Sequence, residues 1–212
     1  MQVPSTLRAM LCAAAILGCS SSQAADFSFS GNLFNNTDRV DIAFELGSAG
    51  DVRLWTDSWQ GGLNFDPISV LWQKSGNDFA LVQENDDDDT VAQGQGFYDT
   101  GHALNGLAAG RYLLSVGPSF AQAYASGTLY SQGFTQDGTV PTPIAQWNQP
   151  GYNIDSNDQK GTLYSIHLSG VDTASISAVP EPEAFALLLA GLCLVGAMSR
   201  RKRAAQPVTR VL

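Results

Sequence analysis

The sequence predicts an all-β domain, an antiparallel β-sandwich of jelly-roll type, set between two hydrophobic flanking segments. Two observations carry the prediction. Apolar and polar residues alternate in short runs that recur roughly every 8 to 15 residues. No stretch between the two ends has a convincing amphipathic helical period, and no repeat of fixed length appears.

Phe27, Phe29 and Leu33 begin the alternation. Val40, Ile42, Phe44 and Leu46 alternate with Asp41, Ala43 and Glu45, which predicts a strand with one buried and one wet face. Gly47 to Gly50 reads as a turn, and Val52, Leu54 and Thr56 then oppose Arg53, Trp55 and Asp57. Gly61 and Gly62 break the run. Ile68, Val70 and Trp72 start a strand just after Asp66 and Pro67, and Ser75 to Asp78 reads as a hairpin turn into Phe79 to Glu84. Arg111 to Gly117, Ala125 to Tyr130 and Leu163 to Leu168 complete the expected strands. Thr139 to Asp158, rich in Pro, Asn and Gln, reads as a long loop.

Residues 1–24 read as a secretory signal peptide. Arg8 precedes the apolar run Ala9 to Gly18, and Ser22 and Ala24 suit cleavage after Ala24. A lipoprotein box ending at Cys19 is the competing reading. The expected order is then a β-sandwich at 25–171, a small polar linker at 172–178, a second hydrophobic segment at 179–203 and a cytoplasmic extension at 204–212.

Residues 25–178 hold 18 Asp and Glu against five Lys and Arg, a formal charge of −13, whereas the whole chain carries −9. Such a surface disfavours nucleic acid and anionic lipid as partners. All three cysteines, Cys12, Cys19 and Cys193, lie in the flanking segments, so the domain between them has neither disulfide nor thiol chemistry.

The second hydrophobic segment has three unlike parts in order. Val179, Pro180, Glu181 and Pro182 keep the backbone extended, because proline disfavours a helix before it. Ala184 to Ser199 follows without a charge; its 16 residues make a helix of about 24 Å, short of a hydrocarbon core of roughly 30 Å. Arg200, Arg201, Lys202 and Arg203 then hold the far end in the cytoplasm. This order resembles the PEP-CTERM sorting signal of Gram-negative bacteria. The resemblance implies export through the secretion machinery, transient inner-membrane insertion and cleavage by an exosortase-type membrane protease. It also implies delivery to the cell surface or extracellular matrix, in the company of exopolysaccharide or biofilm. An ordinary membrane anchor that stays uncut is the plainer reading.

A second resemblance spans about Asp51 to Gly117. Asp66-Pro67, a strand, a turn, a second strand, Asn85-Asp86-Asp87 and later Gly110-Arg111-Tyr112 before a strand resemble the pre-peptidase C-terminal domain family. That resemblance implies a small non-catalytic β-sandwich, an appended module without a catalytic centre.

Candidate chemistry is sparse. Glu84 and Asp86, Asp87, Asp88 and Asp89 crowd carboxylates at one hairpin end, and Asp66 enters the first strand of that hairpin where Glu84 leaves the second. Calcium takes six to eight oxygens, so these six acids are the candidate calcium ligands; a solvated acidic loop is the alternative. No cofactor is otherwise required. Asp57-Ser58-Trp59, with Trp55, offers an aromatic platform for sugar, though Trp in a sandwich is more often core. His102 and His167 read as ordinary structure, and no nucleophile elbow, zinc motif, phosphate loop or dinucleotide fingerprint is present. A non-enzymatic surface protein is the reading; a carbohydrate- or calcium-binding module and a polysaccharide hydrolase with an unplaced carboxylate pair are its rivals.

Overall fold

A computed structural model describes residues 25–119, 125–147 and 160–177. They form nine strands: β1 (Ala25–Asn32), β2 (Val40–Leu46), β3 (Gly50–Thr56), β4 (Pro67–Ser75), β5 (Asp78–Asn85), β6 (Gly101–Leu107), β7 (Gly110–Pro118), β8 (Leu163–Val171) and β9 (Thr173–Ile176). Every strand pairing is antiparallel. One sheet has the order β1-β8-β3-β6 and the other β5-β4-β7-β2-β9. Among the described residues the helical elements are three single 3₁₀ turns. None is long and apolar enough to cross a membrane.

The alternation read from the sequence explains the main core. Val52, Leu54, Ile166 and Leu168 face inward from the first sheet, and Ile42, Phe44, Leu71, Tyr112, Leu114 and Val116 from the second. Phe44 is 1% exposed and stacks on Tyr112 with ring centroids 5.2 Å apart. The β4–β5 hairpin turns at Gly76, whose φ of +57° a side chain would resist.

The second sheet is covered on both faces, which the sequence did not announce. Residues 125–137 lie over its outer face, where Phe134 and Tyr130 meet Ile68, Val70, Trp72 and Leu113 in a second core. Phe134 and Tyr130 both stand edge-on to Trp72, at 5.8 and 5.7 Å between centroids. This is why Pro67 to Trp72 is buried without alternation. It also corrects the expectation that the face of Asp41 is wet. Asp41 is 6% exposed; it accepts hydrogen bonds from Ser115 and, at 2.9 Å, from Tyr130 Oη, and lies 3.7 Å from Arg39 Nε. Burial raises its pKa against the pull of Ser115, Tyr130 and Arg39. The Tyr130 hydroxyl is pushed up to about 12 by burial and then by the Asp41 charge.

Three further corrections concern elements. Ala125 to Tyr130, expected as a strand, is irregular: Ala125 makes one isolated bridge to Phe134, and a 3₁₀ turn starts at Tyr130. Gly101–Leu107 is a strand that its Gly, His and Asn content concealed. Residues 172–178, expected as linker, contain β9, which pairs with β2 from Ile42–Ile176 to Glu45–Thr173. Hydrogen bonding decided this, since β2 would otherwise present an unpaired edge. The 139–147 part of the expected long loop holds an isolated bridge from Pro143 to Asn35 and a 3₁₀ turn at Ile144–Gln146. The expected signal peptide and the expected hydrophobic segment at 179–203 lie outside the described residues.

Candidate functional site

Asp66 immediately precedes β4, and Asp86 and Asp87 immediately follow β5. Pairing of the two strands returns the chain to one end of the hairpin, with Ser69 opposite Asn85. Asp66, Asp86 and Asp87 each offer a carboxylate oxygen within 4.8 Å of the others. Three of the six expected acids therefore come together. Asp66 is 8% exposed.

The other three do not join them. Glu84 pairs opposite Val70 and turns its Oε2 to the Ala125 N–H at 2.7 Å. Asp88 closes its own turn, accepting from the Thr90 N–H at 3.0 Å and the Thr90 hydroxyl at 2.6 Å. Asp89 is exposed. Asp86 and Asp87 stay with Asp66, and the turn that Asp88 closes on Thr90 takes Asp88 and Asp89 out of the group.

The electrostatics of the trio follow from crowding and burial. Burial, then the charges of Asp86, Asp87 and Asp99, push the Asp66 pKa up to about 8, opposed by Lys160. Burial and Asp86 push Asp87 up to about 6. Burial also raises Asp86, against a hydrogen bond from Ser119. Sequence reasoning missed Asp99, Ser119 and Lys160. Asp99 is held by Thr56 Oγ1 at 2.8 Å and the Trp59 N–H at 3.1 Å, contacts across 43 and 40 residues that no local signal marks. The all-oxygen donor set suits a hard divalent cation, with further ligands from backbone or water.

Behind the trio lies a sealed polar cluster. Ser69 Oγ is 2.8 Å from His102 Nε2 and 2.6 Å from Thr100 Oγ1, which donates to the Asn85 carbonyl at 2.7 Å. Ser69 is 2% and His102 1% exposed, and burial lowers the His102 pKa to about 4 despite Asp88. A serine beside a neutral imidazole is here closed off from solvent, without the access a nucleophile needs, and His102 Nδ1 has no hydrogen-bond partner among the described residues. The expected aromatic platform is divided. Trp55 stacks on His167 at 5.1 Å, and Trp59 meets Tyr98 edge-on at 5.1 Å.

The last described residue, Ser177, donates its N–H to the Asp41 carbonyl at 2.7 Å, so the folded domain extends to the residue before position 178. Residues 178–203 match the PEP-CTERM protein-sorting motif. The match contains Val179 to Pro182 and the cations Arg200 to Arg203, both outside the described residues. The PEP-CTERM motif implies an exported, membrane-transiting protein processed by an exosortase, a membrane protease. No curated protein matches the chain.

Proposed function

We propose that this is a non-enzymatic protein of the cell surface or extracellular matrix. A signal peptide exports it, an exosortase cuts it at the PEP-CTERM motif, and it associates with exopolysaccharide. The observation that carries the reading is the motif at 178–203, which follows directly on the last paired residue of the sandwich. A folded, acidic, cysteine-free domain joined to a removable membrane segment suits a cargo that is delivered and then detached. The order Asp66-Pro67, β4, β5, Asn85-Asp86-Asp87 and Gly110-Arg111-Tyr112 supports a sandwich of the pre-peptidase C-terminal type. The tyrosine of that pattern has a structural use, since its hydroxyl donates to the Ala108 carbonyl at 2.8 Å. Pro180, Glu181 and Pro182 are the recognition element. Changing all three to Ala should leave an uncut precursor in the inner membrane, followed by immunoblot of membrane and released fractions. Normal release of that variant removes the sorting reading.

A second reading adds calcium binding at Asp66, Asp86 and Asp87. The convergence of three carboxylate oxygens within 4.8 Å favours it. A divalent cation there offsets the mutual repulsion of the three acids and stabilises the ends of β4 and β5.

A further inference from the structure

The outer face of the β5-β4-β7-β2-β9 sheet is not wholly covered by residues 125–137. Beyond them runs a charged row: Arg111 pairs with Glu45, Glu45 with Thr173, and Lys74 follows the Gln73–Tyr112 pair. A cavity of about 320 Å³ opens along this row. Its floor includes Ala43, and Phe79, Lys74, Arg111, Thr173 and Ser175 stand around it. That volume is at the lower end of ordinary ligand sites, roughly 300–1,000 Å³.

The groove gathers the positive charge of an acidic domain. Of the five Lys and Arg in residues 25–178, Arg39 is held by Asp41 and Asp137, Lys160 is buried with Nζ 3.0 Å from the Gly62 carbonyl, and Arg53 lies on the other sheet. Lys74 and Arg111 remain, together. Lys74 Nζ sits 4.6 Å over the Phe79 ring, and among the described residues it has no carboxylate within 4.0 Å. Asp78 lies within its electrostatic reach, but that carboxylate is engaged by Ser131 and the Phe79 N–H. Arg111 gives Nε to Glu45 at 2.7 Å, which leaves its terminal N–H donors to grip a carboxylate end-on.

We propose that this groove binds an anionic saccharide. A sugar carboxylate sits between Lys74 and Arg111, its ring lies against Phe79, and its hydroxyls meet Thr173 and Ser175 on β9. Each part of the lining has a counterpart in that ligand: cations for the carboxylate, an aromatic ring for the sugar's C–H face, hydroxyls for hydroxyls. A polyphosphate would use only the cations, and its dense charge would be repelled by the −13 domain; one carboxylate per sugar ring is repelled less. The proposal deepens the extracellular reading by naming the class of polymer met, and rests on it for the setting alone.

The test is calorimetric titration of the full chain in detergent with a glucuronic acid tetrasaccharide and with a neutral glucose tetrasaccharide. The acidic sugar should bind, more weakly as salt rises, and the neutral one at least about tenfold more weakly. Lys74→Gln should lower the affinity about tenfold with an unchanged melting temperature. Ser175→Leu, which fills the groove without removing a charge, should give the same loss, and Arg53→Gln on the other sheet none. Equal binding of the two sugars, or full binding by both Lys74→Gln and Ser175→Leu, overturns the proposal. So does binding that appears only after Glu181 and Glu183 are changed to Gln, which would make the chain's own acidic segment the occupant. The triple alanine variant at Pro180 to Pro182 should bind undiminished. Failed binding with normal processing removes the groove alone, and normal release of that variant with intact binding removes the sorting reading alone.

Discussion

At the scale of residues, the acidic trio sets both a pH dependence and a metal response. Asp66 has its folded pKa raised to about 8, above the roughly 3.9 of an unfolded aspartate. The folded state therefore holds more protons than the unfolded one between those values. Metal-free stability should fall as pH rises from about 4 to about 8, a slope that chemical denaturation at several pH values measures. Asp66→Asn should flatten it; an unchanged slope would place the titration elsewhere. Millimolar calcium should raise the melting temperature at pH 8, and magnesium less, because it demands a tighter octahedron. The calcium shift should shrink as pH drops below about 6, where protons compete for the same oxygens. Changing Asp86 and Asp87 to Asn should abolish it without destabilising the metal-free protein. Identical melting curves with and without calcium leave only an acidic loop. Phe44 tests a different property. It is 1% exposed and stacked on Tyr112, so Phe44→Ala should cost about 3–5 kcal/mol in urea unfolding, and a loss under about 0.5 would contradict its burial.

At the scale of elements, two segments decide more than their lengths suggest. Residues 125–137 bring Phe134 and Tyr130 onto Trp72 and put Arg39 4.3 Å over the Phe134 ring. Phe134→Ala should loosen that cover and red-shift tryptophan emission, while Phe97→Ala, at a 65% exposed position, should not. β9 is the edge strand beside β2 and one wall of the groove. Replacing Thr173 to Ile176 with a Gly-Ser tract should lower stability and promote self-association through the bared edge of β2. Unchanged melting and a monomeric sedimentation profile would restore the linker reading.

At the scale of the whole molecule, the sandwich runs up to the sorting motif without slack. Ser177 is tied to Asp41, and the motif begins at position 178. A cut at Pro180 to Pro182 would fall within a few residues of a folded sheet edge. Mass spectrometry of the product from cells with and without the exosortase should find a new carboxyl end inside 178–203, and an amino end after Ala24. A product cut within β9 would mean that the edge strand unpairs before cleavage.

The sequence by itself determined that a strand-rich domain is followed by a PEP-CTERM motif. The Pro-Glu-Pro segment with its apolar run and four cations is a local pattern, and the motif match needs no tertiary structure. Strand periodicity is equally local, so Ile42, Phe44, Val52 and Leu54 were legible as core, and the β4–β5 turn at Gly76 was legible from its residues. The tertiary structure decided everything that depends on distant chain segments. It buried Asp41 by laying residues 125–137 over a face that alternation alone marks as wet. It selected Asp66, Asp86 and Asp87 from six candidate acids, because strand register and loop direction, not adjacency in sequence, bring carboxylates together. It turned residues 173–176 into a strand, because pairing with β2 supplies backbone hydrogen bonds whatever the local propensity. And it set Lys74 beside Arg111, 37 positions apart in the chain, along one groove of this acidic domain.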